Sequence, residues 1–123
     1  MITQLTSVTV YVTDQDRALA FYRDALGMEV RDDVASGPYR WLSVAPAGAQ
    51  TSLQLEKAGA ETRQPGTATG YILASNDMQA DYERMLAAGV AFTYPPKENP
   101  YSWETEFSDP DGNSFRFVQL KRG

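Results

Sequence analysis

The sequence contains neither cysteine nor histidine among its 123 residues. The absence of cysteine excludes disulfides, thiolate metal ligands and a cysteine nucleophile. The absence of histidine removes the side chain that proteins use most often as a general base and as a metal ligand. Any metal site or acid–base chemistry in this chain must therefore be built without histidine and cysteine.

Long apolar runs and basic clusters are also missing. No segment is long and apolar enough to span a bilayer, and residues 1–5 lack the basic start and apolar stretch of a secretion signal. The formal net charge is −5, whereas a nucleic-acid-binding protein needs a basic surface that displaces counterions. The composition therefore predicts a cytoplasmic protein that binds neither membranes nor nucleic acids.

What the sequence does contain is an internal repeat. Pro38–Trp41 (Pro-Tyr-Arg-Trp) recurs as Pro100–Trp103 (Pro-Tyr-Ser-Trp), at an offset of 62 residues. The same offset relates two further pairs: Gly27 with Gly89, and Ser52–Leu55 with Ser114–Phe117. Because the period is half the chain, it predicts a duplicated module and not a solenoid. With 42% hydrophobic residues, the composition is that of a globular protein.

Each copy shows the pattern of a strand, a helix and three further strands. Residues 5–12 alternate as a strand does, with valines on one face and Ser7, Thr9 and Tyr11 on the other. Asp14 and Gly27 are typical of the start and end of a helix over residues 14–26. The remaining predicted elements are strands at 28–34, 39–45, 50–56, a linker at 58–68, a strand from about Thr69, a helix at 77–88, and strands at 90–94, 101–107 and 114–120.

The order of these motifs resembles the vicinal oxygen chelate superfamily, which holds glyoxalase I, bleomycin-resistance proteins and extradiol dioxygenases. The resemblance rests on Val10–Asp14 followed by Ala20–Gly27, on Tyr82–Val90, and on the turn Phe107–Asn113. It implies one α+β domain over residues 1–123, with two tandem βαβββ modules at about 1–57 and 69–123. It further implies a cup-shaped mixed sheet with its helices on the convex side, and a homodimer.

Metal-dependent members of the superfamily hold an ion through four positions of the cup. By resemblance, these positions fall on Ser7, Gln54, Gly70 (or its neighbour Thr69) and Arg116. Only Gln54 is a ligand of the usual type, whereas a catalytic site needs at least three good protein ligands. The sequence therefore predicts no metal and no cofactor, and it disfavours glyoxalase or dioxygenase chemistry by the usual mechanism.

Several residues permit two interpretations. Arg116 either pairs with Glu104 or Glu106 in the sheet or presents its guanidinium to an anionic ligand. The aromatic side chains of the repeat (Tyr39, Trp41, Tyr101 and Trp103) share strand parity, so they are expected to face equivalent surfaces, either core or ligand site. Glu56, Glu104 and Glu106 are either solvated or ion-paired carboxylates, or a base in metal-free chemistry.

The sequence as a whole predicts a metal-independent small-molecule binding protein of the bleomycin-resistance type. Its ligand would lie in the cup, against Ser7, Gln54, Gly70, Arg116, Trp41, Trp103, Tyr39 and Tyr101. The alternatives are a glyoxalase- or dioxygenase-like enzyme, and a metal-free lyase or isomerase that uses a glutamate.

Overall fold

The computed structural model describes residues 1–121 and shows an α+β fold. The chain divides into two compact units, Met1–Pro65 and a second unit that begins at Gly66. The first unit contains β1 (Ser7–Val12), α1 (Gln15–Ala20), β2 (Glu29–Ser36), β3 (Tyr39–Ala45) and β4 (Ser52–Lys57). The second contains β5 (Ala68–Ala74), α2 (Met78–Ala87), β6 (Ala91–Glu98), β7 (Ser102–Ser108) and β8 (Ser114–Leu120). The predicted duplication of a βαβββ module is confirmed.

Each unit has one four-stranded mixed sheet. The strand orders are β1-β4-β3-β2 and β5-β8-β7-β6, so the two sheets have the same topology. In both, the first and last strands of the unit run parallel and the other neighbours run antiparallel. Within residues 1–121, no helix is long and apolar enough to cross a membrane.

The core of the first unit lies between its sheet and α1. The alternation of the strands places one apolar face on this side, and its buried residues are Val10, Val12, Leu42, Val44, Leu53 and Leu55. The amide of Gln15, in the first turn of α1, donates hydrogen bonds to the carbonyls of Arg40 at 3.1 Å and Leu55 at 2.9 Å. The start of the helix is therefore attached to the backbone of β3 and β4.

The core of the second unit is aromatic. Phe107 is fully buried, and its ring centroid lies 5.9 Å from Phe92, 5.6 Å from Phe115 and 5.9 Å from Phe117. Tyr82 of α2 contacts Phe92 with a centroid distance of 4.7 Å. These rings connect the helix to three strands, so we expect them to contribute much of the stability of this unit.

The first helix contains one residue more than the second between its N-cap and its terminating glycine. Asp14 and Gly27 bound the first helix, whereas Asp77 and Gly89 bound the second. The extra residue is absorbed where α1 continues as a π-helical segment, Phe21–Ala25. Both helical predictions are confirmed, and the π-helical segment explains why the offset between the two copies is not constant.

One predicted strand, at 90–94, was too short. β6 extends to Glu98 through Pro95 and Pro96, with register shifts against β7 on both sides of Tyr94. Proline cannot donate to a ladder, but among residues 1–121 no strand pairs with the outer side of β6, and the register shift between Tyr94 and Lys97 leaves both prolines without a paired residue on β7. The prolines are therefore compatible with a strand that ordinary sequence rules would end before them.

Candidate functional site

Each sheet has one face covered by its helix, and we refer to the opposite face as the helix-free face. In the first sheet, Gln54 of β4 lies beside Thr9 of β1 and Ser43 of β3. Alternation along β3 then places Tyr39 and Trp41 on the same face as Gln54. Ser7 shares this face, two residues before Thr9 on β1. The structure thus places the predicted site residues of the first copy on one face of the sheet.

Three of these side chains, together with Glu56 two residues after Gln54 on β4, form a group that we name the Tyr39 cluster: Tyr39, Trp41, Gln54 and Glu56. Oε2 of Glu56 accepts a hydrogen bond from the Tyr39 hydroxyl at 3.0 Å and from Nε2 of Gln54 at 2.8 Å. Nε2 of Gln54 also donates to the Tyr39 hydroxyl at 3.2 Å. Burial and the hydrogen bond to Glu56 raise the pKa of Tyr39 above its usual value, so its hydroxyl stays a donor.

The aromatic rings of the Tyr39 cluster are available to a ligand. Tyr39 is 42% exposed and Trp41 is 41% exposed, although both belong to a sheet strand. Val34 of β2 lies opposite Trp41 and is 58% exposed. Half-exposed aromatic and aliphatic side chains that adjoin fixed polar groups are typical of surfaces that bind small molecules.

The helix-free face of the second sheet is dominated by charge. Nη2 of Arg116 contacts Oε2 of Glu104 at 2.7 Å, and Lys97 lies 3.9 Å from the same carboxylate. The Lys97 ammonium also lies over the ring of Tyr94, 4.6 Å from its centroid. The hydrogen bond from Arg116 and its positive charge hold the pKa of Glu104 below its usual value. Arg116 therefore lies on the expected face and is paired with Glu104.

Gly70 cannot contribute a side chain, and the backbone explains why glycine is present. It has φ +77° and lies in a register irregularity of β5 between Ala68 and Ile72. The neighbouring Thr69 hydroxyl donates to the Ser114 carbonyl at 2.7 Å. Gly70 and Thr69 therefore both stabilise the backbone at this irregularity, which is a β-bulge.

Trp103 does not lie on the same face as its sequence counterpart Trp41. It pairs in register with Gln119, whereas Arg116 pairs with Glu106, so Trp103 and Arg116 are on opposite faces. Trp103 instead lines a cavity of about 250 Å³ at the start of α2, with Asp77, Met78, Gln79, Pro96 and Gln119. The expectation that the repeated aromatics face equivalent surfaces was wrong.

The cause is a difference of one residue between the two copies. Ser43 pairs with Gln54 in the first sheet, whereas Glu106 pairs with Arg116 in the second. Gln54 and Arg116 are 62 residues apart, but Ser43 and Glu106 are 63 apart. Since a slip of one residue turns a side chain to the other face of a strand, the repeated sequence no longer marks equivalent positions. Tyr101, just before β7, is 80% exposed and does not join Arg116 in the sheet.

A comparison with known protein families shows to which family the chain belongs. The family model described as Glyoxalase/Bleomycin resistance protein/Dioxygenase superfamily matches residues 4–117. The chain belongs to this superfamily. The resemblance noted in the motifs of the sequence is thereby confirmed.

Several known proteins are similar to this chain over nearly its whole length. YetH of Bacillus subtilis (strain 168) is 33% identical over 116 residues, which cover 94% of this chain and 97% of YetH. A superfamily member from Sphaerobacter thermophilus DSM 20745 has a TM-score of 0.89 at 38% identity, covering 96% of this chain and 98% of that chain. TnmS3, an antibiotic binding protein from Streptomyces sp. CB03234, has a TM-score of 0.86 at 36% identity and covers 98% of both chains.

The residues at the superfamily's metal positions do not fit a divalent ion. In the first sheet, the amide nitrogen of Gln54 faces Tyr39 and Glu56, and Ser7 offers only a hydroxyl group. In the second sheet, Gly70 has no side chain and Arg116 carries a positive charge. Within residues 1–121, no group of three or more His, Cys, Asp or Glu side chains is arranged to hold a metal ion. Carboxylate or imidazole donors are what such a site requires.

Sequence reasoning missed the aliphatic and charged neighbours of these residues. Val34 and Lys97 lie on β2 and β6, each at one edge of its sheet, and neither strand carries a motif. Glu56 was noted only as a carboxylate on a strand. Its contact with Tyr39 depends on the pairing of β3 with β4, which no pattern within either strand reveals. Gln54 and Glu56 are two residues apart on β4 and therefore lie on the same face. This spacing is the sequence signal that could have linked them.

Replacing Arg116 with methionine should change the acid stability of the protein. Glu104 has a folded-state pKa below its ordinary 4.5, so its contribution to stability is present above pH 4.5 and lost as the pH falls through the folded-state pKa. Arg116→Met removes the main cause of the lowered pKa, so the pKa of Glu104 should rise. The loss of stability that protonation of Glu104 causes at acidic pH should then disappear. Thermal melts below about pH 5, with a carboxyl NMR titration, measure the change.

Arg63→Met provides the control for Arg116→Met. Arg63 lies between the last strand of the first unit and Pro65, and its described contacts include no ion pair. This variant removes the same charge and should keep the acid profile of the wild type. An unchanged titration of Glu104 in Arg116→Met would show that the ion pair is not formed in solution.

Proposed function

We propose that this protein binds a small, flat aromatic molecule on the helix-free face of its first sheet, without a metal ion, as a binding protein of the bleomycin-resistance type. The observation that carries the proposal is the half-exposure of Tyr39 and Trp41 beside Gln54 and Glu56. The two rings are two residues apart on one strand, about 7 Å, which a fused three-ring compound can cover.

Two further findings support this proposal. TnmS3, similar to this chain over 98% of its length, is an antibiotic binding protein. The poor fit of the metal positions argues against a glyoxalase- or dioxygenase-like enzyme, because both depend on a bound ion to polarise the substrate or activate oxygen. The metal-free alternative considered Glu56, Glu104 and Glu106 as the base; of these, Glu104 is disfavoured because Arg116 lowers its pKa and so weakens it as a proton acceptor.

Metal independence can be tested with acridine as a flat aromatic probe. After dialysis against a chelator, calorimetric titration should show saturable binding of acridine. Addition of zinc, nickel, manganese or ferrous iron should change neither the affinity nor the melting temperature, since an ion that binds only the native state must raise its stability.

Gln54→Ala is the control for this experiment, since Gln54 is the only metal position with a suitable oxygen ligand. One ion that raises the melting temperature by several degrees in wild type, but not in Gln54→Ala, would contradict metal independence. Failure of acridine to bind at all would contradict the proposed site.

A further inference from the structure

Glu56 has one carboxylate oxygen that is satisfied within the protein and one that is not. Both hydrogen bonds in the described structure, from Tyr39 and from Gln54, reach Oε2. Oε1 accepts no hydrogen bond among residues 1–121, and no Lys or Arg of these residues lies within 4 Å of the carboxylate. The side chain is partly exposed, so Oε1 is open to solvent.

Two other carboxylates on strands, Glu104 and Asp33, differ in this respect. Glu104 contacts Arg116 at 2.7 Å, and Asp33 contacts Arg40 at 2.8 Å. Each of these negative charges is balanced by a guanidinium group in the same sheet. Glu56 is instead oriented by two neutral donors, so its charge remains available to a group from outside the protein.

The rings beside Glu56 favour the same kind of partner. Aromatic faces carry partial negative charge and attract cations, and the effect is strongest for tryptophan. Trp41 and Tyr39 therefore add to the attraction that Glu56 exerts on a positive charge. The formal net charge of −5 acts in the same direction at long range.

We propose that the ligand of this face is a cationic flat aromatic compound, whose ring covers Tyr39 and Trp41 and whose positive charge lies beside Oε1 of Glu56. This inference rests on the proposed function, because it specifies the chemistry of a ligand that must first bind at the Tyr39 cluster. A neutral ring system of the same shape would keep the stacking and lose the electrostatic attraction. An anionic ring system would be repelled by the carboxylate.

The test compares N-methylacridinium with acridine, which has the same three rings without a charge in mildly alkaline buffer. Wild-type protein at low salt should bind N-methylacridinium roughly 10-fold more tightly than acridine, since a surface charge pair and a cation–π contact together are worth about that factor. Glu56→Gln preserves the shape of the side chain, and this variant should lose most of the preference for N-methylacridinium, keeping only the part that the two rings contribute. Calorimetric titration gives the four dissociation constants.

Glu83→Gln is the matched control. Glu83 is exposed on α2, where it accepts a hydrogen bond from Gln79 at 3.0 Å, and its replacement changes the net charge by the same amount. The preference for N-methylacridinium should survive in this variant. If it is lost to the same extent as in Glu56→Gln, the preference comes from the overall charge and the inference is overturned.

A measurement on the wild-type protein avoids dependence on folding of the variant. The side-chain carboxyl carbon of Glu56 should shift and saturate in NMR spectra on titration with N-methylacridinium, and should respond less to acridine. Equal affinity of wild type for both probes, or an unmoved Glu56 carboxyl signal, would overturn the inference while leaving the proposed function intact. Binding of neither probe would overturn both.

Discussion

Trp41→Ala is expected to weaken the binding of N-methylacridinium by about 10- to 100-fold, because stacking of a flat ring on an aromatic side chain is worth about 1–3 kcal/mol. The ring of Trp41 is half-exposed on the helix-free face, beside the side chains that fix Glu56. The change removes the largest aromatic surface of the Tyr39 cluster and leaves the carboxylate in place. Calorimetric titration of the folded variant measures the loss.

Trp103→Ala is the matched control, because it removes the same side chain from a comparable degree of exposure. Trp103 is 39% exposed, but it lies on the opposite face of its sheet from Arg116. Affinity for N-methylacridinium should therefore stay close to that of wild type. An equal loss in both variants, or a loss in Trp103→Ala alone, would place the ligand elsewhere on the molecule.

The chain contains only two tryptophans, which allows a direct optical check of the same prediction. In a Trp103→Phe variant, Trp41 is the only indole and should report ligand binding by quenching of its fluorescence. In Trp41→Phe, the fluorescence of Trp103 should respond much less. These two single-tryptophan proteins assign the binding surface without an affinity measurement.

Phe107→Ala is expected to lower the free energy of unfolding by about 3–5 kcal/mol, which is the usual cost of truncating a buried aromatic side chain. Phe107 is fully buried and contacts the rings of Phe92, Phe115 and Phe117. Its loss would leave a cavity bounded by three rings that cannot all close it. Urea or guanidinium unfolding measures the difference in free energy.

Tyr101→Ala controls for the loss of an aromatic side chain as such. Tyr101 is 80% exposed, so its truncation should change the free energy of unfolding by less than about 0.5 kcal/mol. A small effect of Phe107→Ala, similar to that of Tyr101→Ala, would show that the aromatic core of the second unit is not packed as described.

Much of the local structure followed from patterns within short segments. Asp14 and Asp77 precede amphipathic stretches, and both cap helices, each accepting a hydrogen bond at 3.1 Å from the amide three residues later. Gly27 and Gly89 follow those helices with positive φ values. The alternating valines of β1 lie on the helix-covered side, with Val10 and Val12 buried. Each of these features depends on residues within one or two turns of the chain.

Some of the residues on the helix-free face of the first sheet were also predictable, because alternation along a strand is a local pattern. Ser7, Gln54, Tyr39 and Trp41 could be named from alternation and from the superfamily resemblance. The hydrogen bonds that join Tyr39 to Glu56 could not, because they depend on which residues of β3 and β4 are paired. In the second copy, the same reasoning misplaced Trp103.

The sequence by itself determined the type and order of the elements, their caps and the face that each strand buries, because these depend on local periodicity and backbone preference. Only the tertiary structure decided which residues of neighbouring strands lie side by side. The pairing of Ser43 with Gln54 and of Glu106 with Arg116 differs by one residue between the copies, and strands alternate with a period of two. That single-residue difference puts Trp41 on the helix-free face of its sheet and Trp103 beside α2.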